Sequence, residues 1–211
     1  MKVLYLEASP RGERSASTAV TEAFLAALLD AAPQVEVERV KLFEAPIPEF
    51  RAPAAEAKYK AMGAGADLTD AETASWRQVI GAVEQLKSAD WLVISSPMWN
   101  YSIPYRLKQW IDVVVQPGLT FGVDESGTYK GLVAGKKTVL VLSRGGQYRQ
   151  GDDPNDFQRP YLEKVLGMMG LTDVRTVLVQ PMLAQGPERA AQALEQAKKE
   201  AAELAQEMAR E

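Results

Sequence analysis

The sequence predicts an α/β fold: a five-stranded parallel sheet, order 2-1-3-4-5, with helices on both faces of a single domain spanning residues 1–211. Three observations lead there. Five short apolar runs, at 2–7, 35–38, 90–95, 137–142 and 174–179, alternate with segments whose apolar residues recur at helical spacing. Such alternation argues for a parallel sheet with helices packed on it. Right-handed crossovers leave 2-1-3-4-5 as the preferred strand order. No internal repeat or linker divides the 211 residues, a length sufficient for one domain with a substantial core.

Each element has its own signal. Lys2–Glu7 is apolar and runs into a Ser-Pro-Arg-Gly loop, as a buried first strand would. Ser15 or Ser17 can cap the next segment, where Val20, Phe24, Leu25, Leu28 and Leu29 recur at helical spacing until Pro33 limits the helix. Val35 and Val37 alternate with Glu36 and Glu38, as in a half-exposed second strand. Residues 42–66 carry Pro46, Pro48 and Pro53, then alanines, Gly63 and Gly65. They read as a loop with short helical pieces, either a functional rim or a mobile connection.

Thr69 or Asp70 starts a helix to about Ser88, with Trp76, Val79, Ile80, Val83 and Leu86 as its buried stripe. Residues 91–94 are strand three. Pro104 suits the first turn of the following helix, which Leu107, Trp110, Ile111 and Val114 continue to Pro117. The glycine-rich stretch 118–135 reads as an irregular excursion or a hairpin. Residues 138–142 are strand four. Phe157, Tyr161, Leu162, Val165 and Leu166 mark a helix ending near Gly170, and 174–179 are strand five. Pro187 opens a last helix with Leu194, Ala197, Ala201, Leu204 and Met208 along its seam.

Composition narrows the chemistry. The chain has no cysteine, which excludes disulfides, thiolate catalysis and cysteine-bound metal. It has no histidine, which removes Ser-His-Asp catalysis and imidazole proton transfer. A net charge of −4 argues against nucleic acid or an anionic membrane as partner. No run approaches a membrane span, and the N-terminal apolar stretch is too short for a signal peptide, so the expected location is the cytoplasm. Reactivity must then rest on a cofactor, a carboxylate, Lys, Arg, Tyr or the backbone.

Three loops follow three of the predicted strands, where an open α/β sheet binds its ligand. The first, 9–17, carries Ser9, Ser15, Ala16 and Ser17 and runs into a helix N-terminus, a favourable place for a phosphate. Arg11 or Arg14 could add charge. The loop is neither a Walker A motif nor Gly-x-Gly-x-x-Gly. The one Gly-x-Gly, Gly63 and Gly65, has no strand before it and Leu68 in the third position. The second loop, Ser96-Pro-Met-Trp-Asn-Tyr101, offers Met98, Trp99 and Tyr101 to pack on a flat ring, and Asn100 as donor and acceptor for a flavin's pyrimidine edge. The third, Ser143-Arg144-Gly145-Gly146, permits close backbone approach to such a ring. Its amides can face the flavin O2/N1 edge, where negative charge grows on reduction. Taken singly, each loop also fits a capped turn, a core Met and Trp beside a turn Asn, or an ordinary glycine turn. Asp152, Asp153 and Asp156 read as solvated surface, and no metal site is expected.

At these segments the chain resembles the FMN-dependent NADH-azoreductases, a branch of the flavodoxin-like NAD(P)H:quinone oxidoreductases. The resemblance spans essentially the whole length and includes Gly135-Lys-Lys137 before strand four and Gly170-Leu-Thr-Asp173 before strand five. It implies one FMN per subunit, its phosphate on Ser9 and Ser15, Ala16 and Ser17. Residues 98–101 and 143–146 would hold its ring. It implies NADH or NADPH as donor, quinones and aromatic azo compounds as acceptors, and a two-electron ping-pong cycle. Flavin N5 would carry the hydride, with no catalytic side chain. It further implies a homodimer in which Phe121 and Phe157 line the substrate pocket. Many relatives carry a second aromatic two residues after Phe121; here it is Val123. An electron carrier or a regulatory flavin-binding module are the alternative functions.

Overall fold

The computed structural model describes residues 1–63, 67–149, 151 and 153–210. Gly65, in the Gly-x-Gly considered above, and Asp152 lie outside the described residues.

Five parallel strands form the main sheet: β1 (Lys2–Glu7), β2 (Glu36–Lys41), β3 (Trp91–Pro97), β6 (Lys137–Ser143) and β7 (Asp173–Val179). Their order is β2-β1-β3-β6-β7, which is the expected 2-1-3-4-5 when the sheet strands alone are numbered. The pairing runs in register from Leu4 opposite Leu92 to Leu142 opposite Leu178. A separate antiparallel pair, β4 (Phe121–Val123) and β5 (Tyr129–Gly131), forms the hairpin alternative of the 118–135 excursion.

Strand alternation divides the core in two. Val3, Tyr5, Val93, Val139 and Val141 pack under α1 (Ala16–Ala31) and α6 (Gly186–Met208). Leu4, Leu6, Leu92, Ile94, Leu140 and Leu142 pack under α3 (Asp70–Ser88), α4 (Tyr105–Val114) and α5 (Arg159–Met169). The central strands are buried on both faces, while β2, at the edge, is half-exposed as Glu36 and Glu38 foretell. Among the described residues, no helix is long and apolar enough to cross a membrane.

Two expectations need correcting. Within 42–66, Ala52–Met62 forms one continuous helix, α2, of 11 residues. Pro53 sits in its first turn, where the missing N–H costs nothing, so it opens this helix. The preceding prolines remain in a loop strapped to α4. The Arg106 guanidinium donates to the Leu42 and Ala45 carbonyls, and the Gln109 amide to those of Ile47 and Pro48. On α3 the buried positions are Glu72, Val79, Val83 and Leu86, whereas Ile80 is 38% exposed and Trp76 half-buried. Glu72 is buried because it closes a capping box with Thr69 and binds Lys60 at 2.8 Å.

Candidate functional site

The sheet order reverses between β1 and β3, and the crevice beyond their carboxyl ends is where such a fold takes a ligand. The first predicted loop leaves β1 there. A short 3-10 turn, Gly12–Arg14, leads to Ser15, the N-cap of α1. The Ser15 hydroxyl accepts from the Thr18 amide at 3.4 Å and lies 3.2 Å from the Ser17 hydroxyl. Ser9 accepts from the Arg11 amide at 3.3 Å. Ser9, Ser15 and Ser17 are all buried, and Ala16 is half-buried. The amides of Ala16 and Ser17, in the first turn, have no intrahelical acceptor. Hydroxyls and amides at the positive end of a 16-residue helix are the donor chemistry a phosphate needs.

The second loop is a two-residue reverse turn. Trp99 and Ser102 exchange backbone hydrogen bonds at 2.9 Å each way. Between them Asn100 (φ 48°) and Tyr101 (φ 71°) are both left-handed, as the tightest hairpin turns require. Asn tolerates this region; Tyr does so at a cost. The turn pushes the Asn100 and Tyr101 side chains into the open. Trp99 instead joins a three-ring cluster, 5.6 Å from Phe43 and 6.3 Å from Tyr105, and Met98 is half-buried.

The third loop is bonded to the second, because the Met98 amide donates to the Ser143 carbonyl at 2.7 Å. Ser143 is buried. Arg144 is not open to a ligand. Its amide donates to Val179, its guanidinium pairs with Asp156 at 2.7 Å, and its Nε donates to Gln158, which itself donates to the Ser96 carbonyl. Burial pulls this guanidinium below its ordinary pKa, against the opposing pull of Asp156. Gly145 lies under Leu183 and Gly146 under Tyr148, at distances of 3.1 and 3.3 Å from where a Cβ would stand.

Asp156 and Asp153, read from sequence as solvated surface, have structural partners. Asp156 also accepts from the Gln158 and Arg159 amides, and Asp153 from those of Arg149 and Asn155. The Tyr101 carbonyl accepts from the Phe157 amide at 2.9 Å, which brings this segment to the second loop. Phe157 itself is 59% exposed. It borders a cleft of about 640 Å³ with Trp99, Asn100, Ser102, Tyr105 and Tyr161. Burial and the nearby Asp112 charge push the Tyr161 phenol up to about 12. Phe121 stands apart on the hairpin, its ring edge-on to Tyr129 at 5.5 Å. Another hollow, of about 590 Å³, lies beside β2 and holds none of the predicted site residues. Among the described residues, no cluster of His, Cys, Asp or Glu could hold a metal ion.

Sequence reasoning missed Tyr148, Gln180 and Leu183. Tyr148 follows Gly146 closely in irregular chain, whereas Gln180 and Leu183 reach the third loop from the segment after β7, and none of these contacts carries a motif.

Known proteins share this arrangement of chain. An FMN-dependent NADH:quinone oxidoreductase from Nitratidesulfovibrio vulgaris Hildenborough is 47% identical over 208 residues, covering 96% of this chain and 99% of the relative. One from Desulfotalea psychrophila is 41% identical, covering 98% and 97%. The crystal structure of the azoreductase AzrA superposes with a TM-score of 0.89 at 30% identity, covering 98% of this chain and all of the other. That of an FMN-dependent NADH-azoreductase from Bacillus anthracis in complex with FMN gives 0.87 at 26%, covering 99% of each. The profile of the Flavodoxin_2 family, a flavodoxin-like fold, matches residues 1–205. This chain belongs to that family.

Proposed function

We propose that the chain is an FMN-dependent NADH:quinone oxidoreductase that also cleaves aromatic azo compounds. One observation carries the reading: a hydroxyl-rich helix N-terminus, a strained reverse turn and a glycine pair meet at the carboxyl ends of β1, β3 and β6, the last two joined by the Met98–Ser143 hydrogen bond. The names of the relatives in both comparisons support it. FMN bound there would supply two-electron hydride chemistry between NADH or NADPH and the acceptor, used in a ping-pong sequence.

The chain's own residues bind and orient. Ser9, Ser15, Ala16 and Ser17 hold the phosphate. Residues 98–101 present backbone and the Asn100 amide to the ring edge. Ser143, Gly145 and Gly146 close the opposite side, while Arg144 holds that loop in place through Asp156 rather than touching the ligand. No side chain is required as acid or base. Complete azo cleavage takes two rounds, since each delivers two electrons.

The exposed aromatic edge around Phe157 and the outlying Phe121 suit a pocket completed by a second copy, so we assign a homodimer of single 1–211 domains. The cytoplasm is the proposed location; among the described residues no helix is long and apolar enough to cross a membrane. An anaerobic visible spectrum of FMN-reconstituted protein tests the reading. NADH should bleach the flavin band and a quinone should restore it. Bound flavin that stays oxidised would instead indicate a carrier or a regulatory module.

A further inference from the structure

Two buried polar side chains without a partner line the same hollow. Glu7 ends β1 at 3% exposure, where a carboxylate ordinarily collects hydrogen-bond donors. Its Oε2 has none among the described residues. The Arg39 guanidinium stands 3.9 Å off, drawn away by Glu22 and lying over the Tyr5 ring at 5.0 Å. Thr18, in the first turn of α1, is 5% exposed and its hydroxyl is likewise unpaired. Thr21, one turn on, bonds back to the Ser17 carbonyl at 2.9 Å, as helical threonines do. Glu7 and Thr18 both border a cavity of about 540 Å³ between α1 and β2.

The walls select the ligand by exclusion. Glu7 requires a donor, yet a metal ion or an ammonium group would face Arg39, Lys41 and Lys198. An anion would face Glu7, Glu13 and Glu22. With opposite charges in balance, the ligand that fits is neutral. No aromatic or large aliphatic side chain lines the cavity among the described residues, so nothing offers a face to a nucleobase or a quinone. Hydroxyl groups meet both requirements, because each donates and accepts at once and a vicinal pair spans the two oxygens of a carboxylate. The cavity shares the 9–17 loop with the proposed phosphate site, but Ser9, Ser15 and Ser17 are not among its walls.

We propose that this hollow is a second ligand site, which binds a neutral sugar through a vicinal diol. The sugar hydroxyls donate to Glu7, and one of them pairs with the Thr18 hydroxyl. Each contact satisfies a buried group that otherwise bears the cost of lost hydration. The sugar is either free or the ribosyl part of a nucleoside; the diol chemistry is the same for both.

Saturation-transfer NMR titrations on the full chain, with excess FMN present, test it. Methyl β-D-ribofuranoside should bind, and its 2-deoxy counterpart, which lacks the diol, should bind about tenfold more weakly. Glu7→Gln, which keeps the shape and replaces one acceptor oxygen by a donor, should weaken the ribofuranoside about tenfold. Thr18→Val, which removes the hydroxyl at nearly constant volume, should weaken it about fivefold. Adenosine bound more tightly than the ribofuranoside marks a nucleoside as the source, and adenosine bound no more tightly marks a free sugar. No transfer to the ribofuranoside, equal binding of the two furanosides, or unchanged affinity in Glu7→Gln each overturns the proposal. None of these outcomes depends on FMN uptake, because Glu7→Gln reports this hollow alone.

Discussion

Lys136 and Lys137, adjacent in the chain, cap helices on opposite faces of the sheet. Lys136 reaches the Lys87 and Ala89 carbonyls at the end of α3, and Lys137 reaches the Met208 carbonyl at the end of α6 while lying over the Trp91 ring at 5.3 Å. Entry into β6 sends consecutive side chains to opposite faces, and each ammonium meets carbonyls left over by a helix. Burial draws the Lys136 pKa down, opposed by Asp90. Lys136→Met should cost about 2 kcal/mol, as loss of a charged hydrogen bond typically does, and Lys137→Met about 1 kcal/mol. Because the two heads act on different helices, the double variant should lose the sum to within about 0.5 kcal/mol. Urea unfolding of all four proteins measures this, and strong coupling would contradict independent caps.

The β4–β5 hairpin meets α5 at two glycines. A Cβ on Gly131 would fall 2.2 Å from the Gly170 amide nitrogen, and Gly170 itself has φ 96°. Only backbone lies opposite, so no side chain can yield. Gly131→Ala should destabilise by about 1–3 kcal/mol and move the hairpin. Thermal unfolding reads the first effect. A raised KM for quinone with an unchanged FMN affinity would report the second. Full retention of stability would show that the crossing is loose.

Glu7 closes β1 with its side chain only 3% exposed. Its Oε2 lacks a hydrogen bond, and Arg39 stands 3.9 Å away. Burial raises its pKa above the ordinary 4.5; Arg39 and Lys41 oppose this, and Glu22 and Glu44 add to it. A carboxyl with a raised folded pKa holds its proton more tightly when folded, so stability falls as pH climbs from the unfolded value through the folded one. Glu7→Gln removes that loss. The variant should gain on the parent between pH 4 and pH 8 in urea midpoints, whereas parallel curves would show that Glu7 ionises without penalty.

Tyr101 combines a left-handed backbone with an exposure of 54% for the whole residue. Tyr101→Gly should leave stability unchanged or raise it by up to about 1 kcal/mol, because the strained conformation suits glycine. FMN binding should weaken nonetheless. A variant that is less stable and binds FMN as before would place the value of Tyr101 in packing instead.

Much of this was readable from residue order because the relevant signals are local. The strand runs, the Ser15 cap and the glycine-rich hairpin each depend on neighbours a few residues apart. Arg144 was not readable. In sequence it is one of the residues 143–146 expected to hold the flavin ring, and its partner Asp156 is 12 residues away across a turn with no periodic signal. Ile80 was misjudged because helical spacing gives the direction of a stripe but not its width. The depth of burial at Glu72 depends on Lys60, a residue of another helix. Gly145 and Gly146 were read as room for a ring, while their side-chain faces are occupied by Leu183 and Tyr148, contacts that only the folded chain defines.

The hydrogen bonds from Met98 to Ser143, from Gln158 to Ser96 and from Phe157 to Tyr101 tie residues 96–102, 143–146 and 156–158 into one frame. The hairpin hangs from the far end of α5, through the Val133 amide on the Met169 carbonyl. Grip and reach are thus separable by inheritance. On the proposed pocket, a library confined to 122–130 should yield altered acceptor spectra from proteins that all keep bound FMN, because the frame stays constant.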